Sequence, residues 1–144
     1  MAFDVIPVIT RLADRDSATV LRARFAPELV TALARIEGRP VGIIANNSKH
    51  MAGTVTGPGS DKAARFVQLC DSFGIPMISL LDTPGYMVGP DYEADALVRH
   101  CSRLLIAAAA MTVPTIAVIL RRSYGLGAQA MCFGSLKAPL LTMA

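Results

Sequence analysis

Hydrophobic residues alternate along the chain between two rhythms. Three segments are near-continuous in apolar residues and carry proline in second position: Arg39-Pro40-Val41-Gly42-Ile43-Ile44-Ala45, Ile75-Pro76-Met77-Ile78-Ser79-Leu80-Leu81 and Val113-Pro114-Thr115-Ile116-Ala117-Val118-Ile119. Their prolines lie 36 and 38 residues apart. Proline is tolerated at the first residue of a strand, where its missing N–H costs least. Unbroken apolar runs mark strands covered on both faces, as in parallel sheets. Strands are predicted near 41–46, 76–82 and 114–120.

Between these runs the period becomes helical. Ala63, Phe66, Val67, Cys70 and Phe73 share one face of a helix over 61–73, with Asp61, Lys62, Arg65, Gln68 and Asp71 largely opposite. Ser60 or Asp61 can cap it and Gly74 ends it. A second helix over 92–111 stripes Leu97, Val98, Cys101, Leu104, Leu105 and Ala108, and a third is expected to begin at about Gly127. Helices alternating with strands at near-constant spacing predict an α/β fold with parallel strands and right-handed crossovers. Val5 to Arg11 and Ala18 to Arg24 suit short strands or a helix, so residues 1–24 are a lead-in of uncertain structure. Ala138 to Ala144 reads as a fourth apolar strand with no polar tail. Chain ends are normally exposed, so this one predicts a fragment, or a core completed by other residues or partners, with a large exposed apolar surface.

Composition narrows the class. With 53% hydrophobic and 17% charged residues in 144, disorder is excluded. The length suits one domain burying about two-thirds of its unfolded surface. A net charge of +3 without a long basic run, no tryptophan and 6% aromatics argue against nucleic acid. Cys70, Cys101 and Cys132 stand 31 residues apart, a spacing that fits no zinc pattern and an odd number for disulfides. They read as small buried residues of a reducing, cytoplasmic setting. Met1 to Val8 lacks the basic flank of a signal peptide. Leu104 to Leu120 is free of charge for 17 residues but is interrupted by Thr112, Pro114 and Thr115. A buried helix end running into a buried strand is expected there, not a membrane span.

Ligands of parallel α/β units gather at strand carboxyl ends, so two turns matter most. In Asp82-Thr83-Pro84-Gly85-Tyr86, Pro84 and Gly85 suit a type II turn that would leave the amides of Gly85 and Tyr86 free. A plain tight loop accounts for Pro-Gly equally well. In Arg121-Arg122-Ser123-Tyr124-Gly125-Leu126-Gly127-Ala128, small residues open a helix whose first N–H groups lack partners. Fixed donors of this kind suit an oxyanion; close packing of a helix start selects the same residues. Gly125-Leu126-Gly127-Ala128-Gln129-Ala130 also matches a dinucleotide fingerprint. However, four residues separate the apolar strand from its first glycine, and an acidic ribose ligand would fall past residue 144.

Side-chain catalysts are scarce. His50 and His100, the only histidines, sit in no nucleophile or metal pattern. Arg99, Arg103, Arg121 and Arg122 read first as a solvated basic face.

Five blocks in order carry a resemblance. They are Ala34 to Asn47, Asp61 to Phe66 with Cys70 to Pro76, Asp82-Thr83-Pro84-Gly85-Tyr86, Arg99-His100 with the alanine-rich helix after it, and Val113-Pro114 with Tyr124-Gly125. From about residue 25 onward the chain resembles the C-terminal carboxyltransferase domain of biotin-dependent acyl-CoA carboxylases, the β-type subunits acting on acetyl-, propionyl- or methylcrotonyl-CoA. The resemblance implies a crotonase/ClpP-like ββα spiral, with 25–144 a partial domain lacking the N-terminal domain and the C-terminal end. It implies carboxyl transfer between carboxybiotin, carried on a partner protein, and the α-carbon of an acyl-CoA. By position, the amides of Leu126 and Gly127 would hold the biotin ureido oxygen. Gly85, Tyr86, Gly125 and Ala128 would shape the substrate site. Carboxybiotin that releases CO2 leaves a ureido anion able to deprotonate the acyl α-carbon, so no catalytic histidine is required. Many relatives have Gly-Gly-Ala where this chain has Gly-Leu-Gly-Ala, closer to the methylcrotonyl-type Gly-Ala-Gly. Implied partners are biotin carboxylase, the biotin carrier, the N-terminal carboxyltransferase domain and further copies of the chain, with no metal. A decarboxylase subunit of the same fold and a non-catalytic assembly half are the alternative readings.

Overall fold

A computed structural model describes all 144 residues. After helix α1 (Ile6–Leu12) and strand β1 (Thr19–Leu21), strands β2 (Leu29–Ile36) and β3 (Arg39–Asn46) form a hairpin. Its turn is Glu37-Gly38, both at positive φ (52° and 76°), the geometry that a two-residue loop between twisted strands requires. Asp14 fastens the turn by accepting the N–H groups of Glu37 and Gly38 at 2.9 and 2.8 Å. Helix α2 (Gly57–Ser72) leads to β4 (Met77–Thr83), and α3 (Pro90–Ala94) and α4 (Leu97–Ala109) lead to β5 (Thr115–Ser123). The chain finishes with α5 (Gly125–Met131) and β6 (Leu141–Met143).

All six strands join one sheet in chain order. Pairing from β3 through β6 is parallel, as the proline-led runs predicted, while β1–β2 and β2–β3 are antiparallel. The apolar runs are continuous because both sheet faces are covered. Val41, Ile43 and Ala45 pack with Val5 and Ile9 on the α1 side; Ile44 packs with Phe66, Val67 and Leu104 on the α2/α4 side. Fully burying each such Leu, Ile or Val contributes about 1.5–3 kcal/mol. Close helix–sheet packing uses Gly42, where a β-carbon would fall 2.5 Å from the Cys70 sulfur.

Helix boundaries differ from the sequence-based ones. Helix α2 begins four residues earlier than 61, because Thr56 rather than Ser60 or Asp61 is its cap; its hydroxyl accepts the Gly59 N–H at 3.0 Å. Pro58 belongs to the first turn, where a missing N–H costs nothing. The single helix expected over 92–111 is two, separated by Ala96 in the left-handed region (φ 57°, ψ 41°). Helix α3 buries no residue, so the regular stripe starts only where α4 meets α2 at Leu97. Leu104 to Leu120 divides between α4 and β5, and no helix is long and apolar enough to cross a membrane. Beyond α5, Leu136, Leu140, Leu141 and Met143 are exposed, the apolar surface expected at that end.

Candidate functional site

Strand β4 ends in Asp82-Thr83, and its turn is held by backbone rather than by side-chain bulk. Val55 N–H donates to the Gly85 carbonyl and Met87 N–H to the Val55 carbonyl, both at 3.0 Å. Gly85 takes φ +125°, a conformation that L side chains rarely adopt. Its N–H is not free, as the sequence suggested, but donates to Thr83 Oγ1 at 3.1 Å. That hydroxyl donates in turn to the Gly85 carbonyl at 3.2 Å.

Strand β5 delivers the second turn to the same place. Tyr124 N–H donates to the Thr83 carbonyl at 3.4 Å, and Gly127 lies against Gly85 and Tyr86. Helix α5 starts at Gly125, two residues before the expected Gly127, and its first ladder bond runs from Ala128 N–H to the Tyr124 carbonyl at 3.2 Å. The N–H groups of Gly125, Leu126 and Gly127 precede that ladder and have no side-chain cap. Gly127 and Ala128 are buried, while Leu126 is 62% exposed.

Leu126 overhangs a cleft of about 470 Å³ beside the first turn. Its walls are Tyr86, Met87 and Val88 together with Leu97, Val98, Cys101 and Leu105 of α4. At its floor the Tyr86 hydroxyl is buried near Ser60 and Cys101 without a well-formed hydrogen bond. Burial pushes the Tyr86 hydroxyl and Cys101 thiol upward in pKa, so both are neutral. The cleft therefore offers a largely apolar wall with the neutral Tyr86 hydroxyl and Cys101 thiol, one carboxylate at Glu93, and Leu126 of the α5 start at its edge.

A cluster of charges lies behind the turns. Asp82 is fully buried, and Arg121 reaches it through Nε (3.2 Å) and Nη2 (2.8 Å) and Arg122 through Nε (3.1 Å). Burial alone would raise the Asp82 pKa, but the arginine hydrogen bonds outweigh it and hold the carboxyl below its usual range. Asn46 spans the same region, accepting the Asp82 N–H at 3.3 Å and donating to the Gly53 carbonyl at 3.1 Å. Arg121 and Arg122 thus leave the solvated face on which the sequence placed them. The signal for it was an aspartate closing an apolar strand, which buries a charge that then needs a partner. His100 likewise is no lone surface histidine: Nδ1 lies 2.7 Å from Asp61, whose other oxygen accepts Arg103 at 2.9 Å. This pair ties α4 to α2, away from the amides.

Comparison with known proteins gives one consistent set of relatives. The family model described as the carboxyl transferase domain matches residues 1–143. An uncharacterized carboxylase, YngE, of Bacillus subtilis (strain 168) is 46% identical over 129 residues, which cover 90% of this chain and 25% of that protein. A single-chain, multi-domain long-chain acyl-CoA carboxylase structure superposes with a TM-score of 0.96 at 44% identity, over 99% of this chain and 15% of that one. The transcarboxylase 12S hexamer, solved with hydrolyzed methylmalonyl-coenzyme A bound, gives 0.90 at 42% identity, over 94% of this chain and 27% of that one. The chain spans about a quarter of the length of the curated relatives it matches.

Proposed function

Because this chain belongs to the carboxyl transferase domain family, we propose that it forms one half of the active site of a biotin-dependent acyl-CoA carboxyltransferase. Its crotonase-like α/β fold is the one seen in the solved carboxyltransferases. The observation that carries the finer reading is the backbone contact of Gly127 with Gly85 and Tyr86 at the mouth of the apolar cleft.

A small, compact ring system with an apolar flank and one projecting carbonyl oxygen suits that mouth, and the fused ureido and thioether rings of biotin are such a group. When bound, biotin supplies a transferable carboxyl group. The residues of this chain bind and orient: the N–H groups of Leu126 and Gly127 stabilise the oxygen as negative charge grows on it, in the manner of an oxyanion hole. Gly85, Tyr86, Gly125 and Ala128 shape the approach, and the cleft wall excludes water. No histidine takes part; His100 is engaged with Asp61. The acyl-CoA is the second substrate. An N-terminal carboxyltransferase domain, a biotin carboxylase, the biotin carrier and further copies of the chain are the partners this reading requires.

The test is carboxyl transfer from a biotinylated carrier to an acyl-CoA, measured in the full-length, assembled enzyme. Leu126→Pro deletes one N–H at a position where the first helical turn accepts proline. Loss of one such donor lowers kcat on the order of a hundredfold to a thousandfold. Near-normal transfer by a variant that melts like the wild type would remove Leu126 from the site.

A further inference from the structure

Arg121 and Arg122 are consecutive in β5, and neighbours in a regular strand point to opposite faces, yet both reach the same carboxylate. The ladder resolves this. Between the pairs Leu81–Ile119 and Thr83–Ser123, β4 advances two residues and β5 four. A bulge in β5 therefore stands opposite Asp82. Bulges bend their strand and re-aim its side chains, often beside active sites. The residues immediately beyond this one are Tyr124 and the turn that closes on Gly85.

We propose that Asp82, Arg121 and Arg122 are positioning residues: their ion triad around the buried Asp82 carboxylate pins the β5 bulge and so fixes the separation between the Leu126 and Gly127 amides and the Gly85–Tyr86 turn. The proposal rests on the reading of those amides as the oxygen-binding group. Two further segments meet at the triad. Arg122 Nη2 donates to the Ala52 carbonyl at 2.7 Å, in the short helical turn Met51–Gly53. A β-carbon on Gly53 would stand 2.3 Å from the Asp82 carbonyl oxygen, so that turn is packed onto β4. Arg121 bonds the Met1 carbonyl and lies 5.8 Å over the Phe3 ring. Apolar residues commonly replace a buried ion pair without loss of stability, so strand pairing alone does not call for this arrangement. Neither arginine lines the cleft, so both act through the turns they hold.

The experiment uses the full-length, assembled enzyme with Arg122→Gln, Arg122→Lys and Asp82→Asn. The Arg122 side chain is 27% exposed, which keeps its variants foldable even where Asp82→Asn is not. Misplacing a reacting group by about 1 Å costs up to roughly a hundredfold in rate. Arg122→Gln is expected to lower kcat by about tenfold or more, with KM for acyl-CoA and carrier within about twofold, and Arg122→Lys to fall between it and the wild type. Amide hydrogen exchange should quicken at 83–87 and 123–128 while the core around Cys70 and Met77 is unchanged. Unchanged kcat, or a loss that tracks melting temperature with exchange raised throughout the sheet, overturns the proposal. A wild-type enzyme that transfers no carboxyl group refutes the proposed function instead. The exchange pattern then decides the positioning: local loosening upholds it, and uniform or absent change overturns it.

Discussion

Gly127 and Gly85 meet backbone to backbone: a β-carbon on Gly127 would stand 2.6 Å from the Gly85 carbonyl carbon and 2.9 Å from the Tyr86 nitrogen. Even alanine must force the two turns apart. Overpacking of this kind costs about 1–3 kcal/mol. Gly127→Ala is expected to lower the melting temperature and to reduce carboxyl transfer in the full-length enzyme. Unaltered melting and turnover would mean that the turns have slack and that their spacing does not matter.

Removing the Asp82 carboxylate takes the fully buried partner from two arginines that are themselves partly exposed. Asp82→Ala is expected to cost about 1.5–3 kcal/mol in denaturant unfolding, the range for lost hydrogen bonds to charged groups. The pH dependence has a definite sign. The folded carboxyl lies below its unfolded value of about 3.9, so its stabilisation is complete above that value and is lost as pH falls through the lowered one. The gap between wild type and Asp82→Asn should therefore close below about pH 4. A gap that stays constant into stronger acid would contradict the pairing.

The three cysteines should differ in reactivity. Cys70 and Cys132 are fully buried, and burial pushes each thiol up to about 11. Thiolate is the nucleophile, so alkylation of native protein near neutral pH should label Cys101, which lines the cleft, before the other two. Peptide mapping reads the order. Equal labelling of all three would show that the core opens as readily as the cleft.

Asp61 joins α2 to α4 through His100 and Arg103. Hydrogen bonds to charged groups contribute about 1.5–3 kcal/mol each, and side chains near the surface fall at the low end. Asp61→Ala should lower the unfolding midpoint and, by loosening α4, speed alkylation of Cys101. A normal Cys101 rate would show that α4 is held by its apolar face alone.

The parallel core was legible because burial on both faces leaves unbroken apolar runs, as in Val41–Ala45 and Thr115–Leu120. The β2 strand was not: Leu29-Val30-Thr31-Ala32-Leu33-Ala34-Arg35-Ile36 carries no leading proline and mixes strand and helix formers. Only its Glu37-Gly38 turn betrays a hairpin. The adjacency of the Gly85 and Gly127 turns stems from neighbouring parallel strands, and both turns were readable from their small residues. The fate of individual polar groups was not. Whether Gly85 N–H faces solvent depends on a hydroxyl two residues away, at Thr83, and Arg121 and Arg122 turn inward only because a bulge puts both on Asp82. Such contacts depend on register, which periodicity does not encode.

Because the strands lie in the sheet in the order they occur along the chain, each new strand finds its neighbour already in place. The β2–β3 hairpin closes over two residues, whereas Gly85 and Gly127 are separated by 42. Short loops close at the lower entropic cost, and the N-terminal part of a chain leaves the ribosome first. Loop closure therefore favours the hairpin before the longer crossovers, and the paired turns can meet only once β5 lies beside β4. The contact between Gly85 and Gly127 is thus a late, long-range one, formed only when the two parallel strands are already paired.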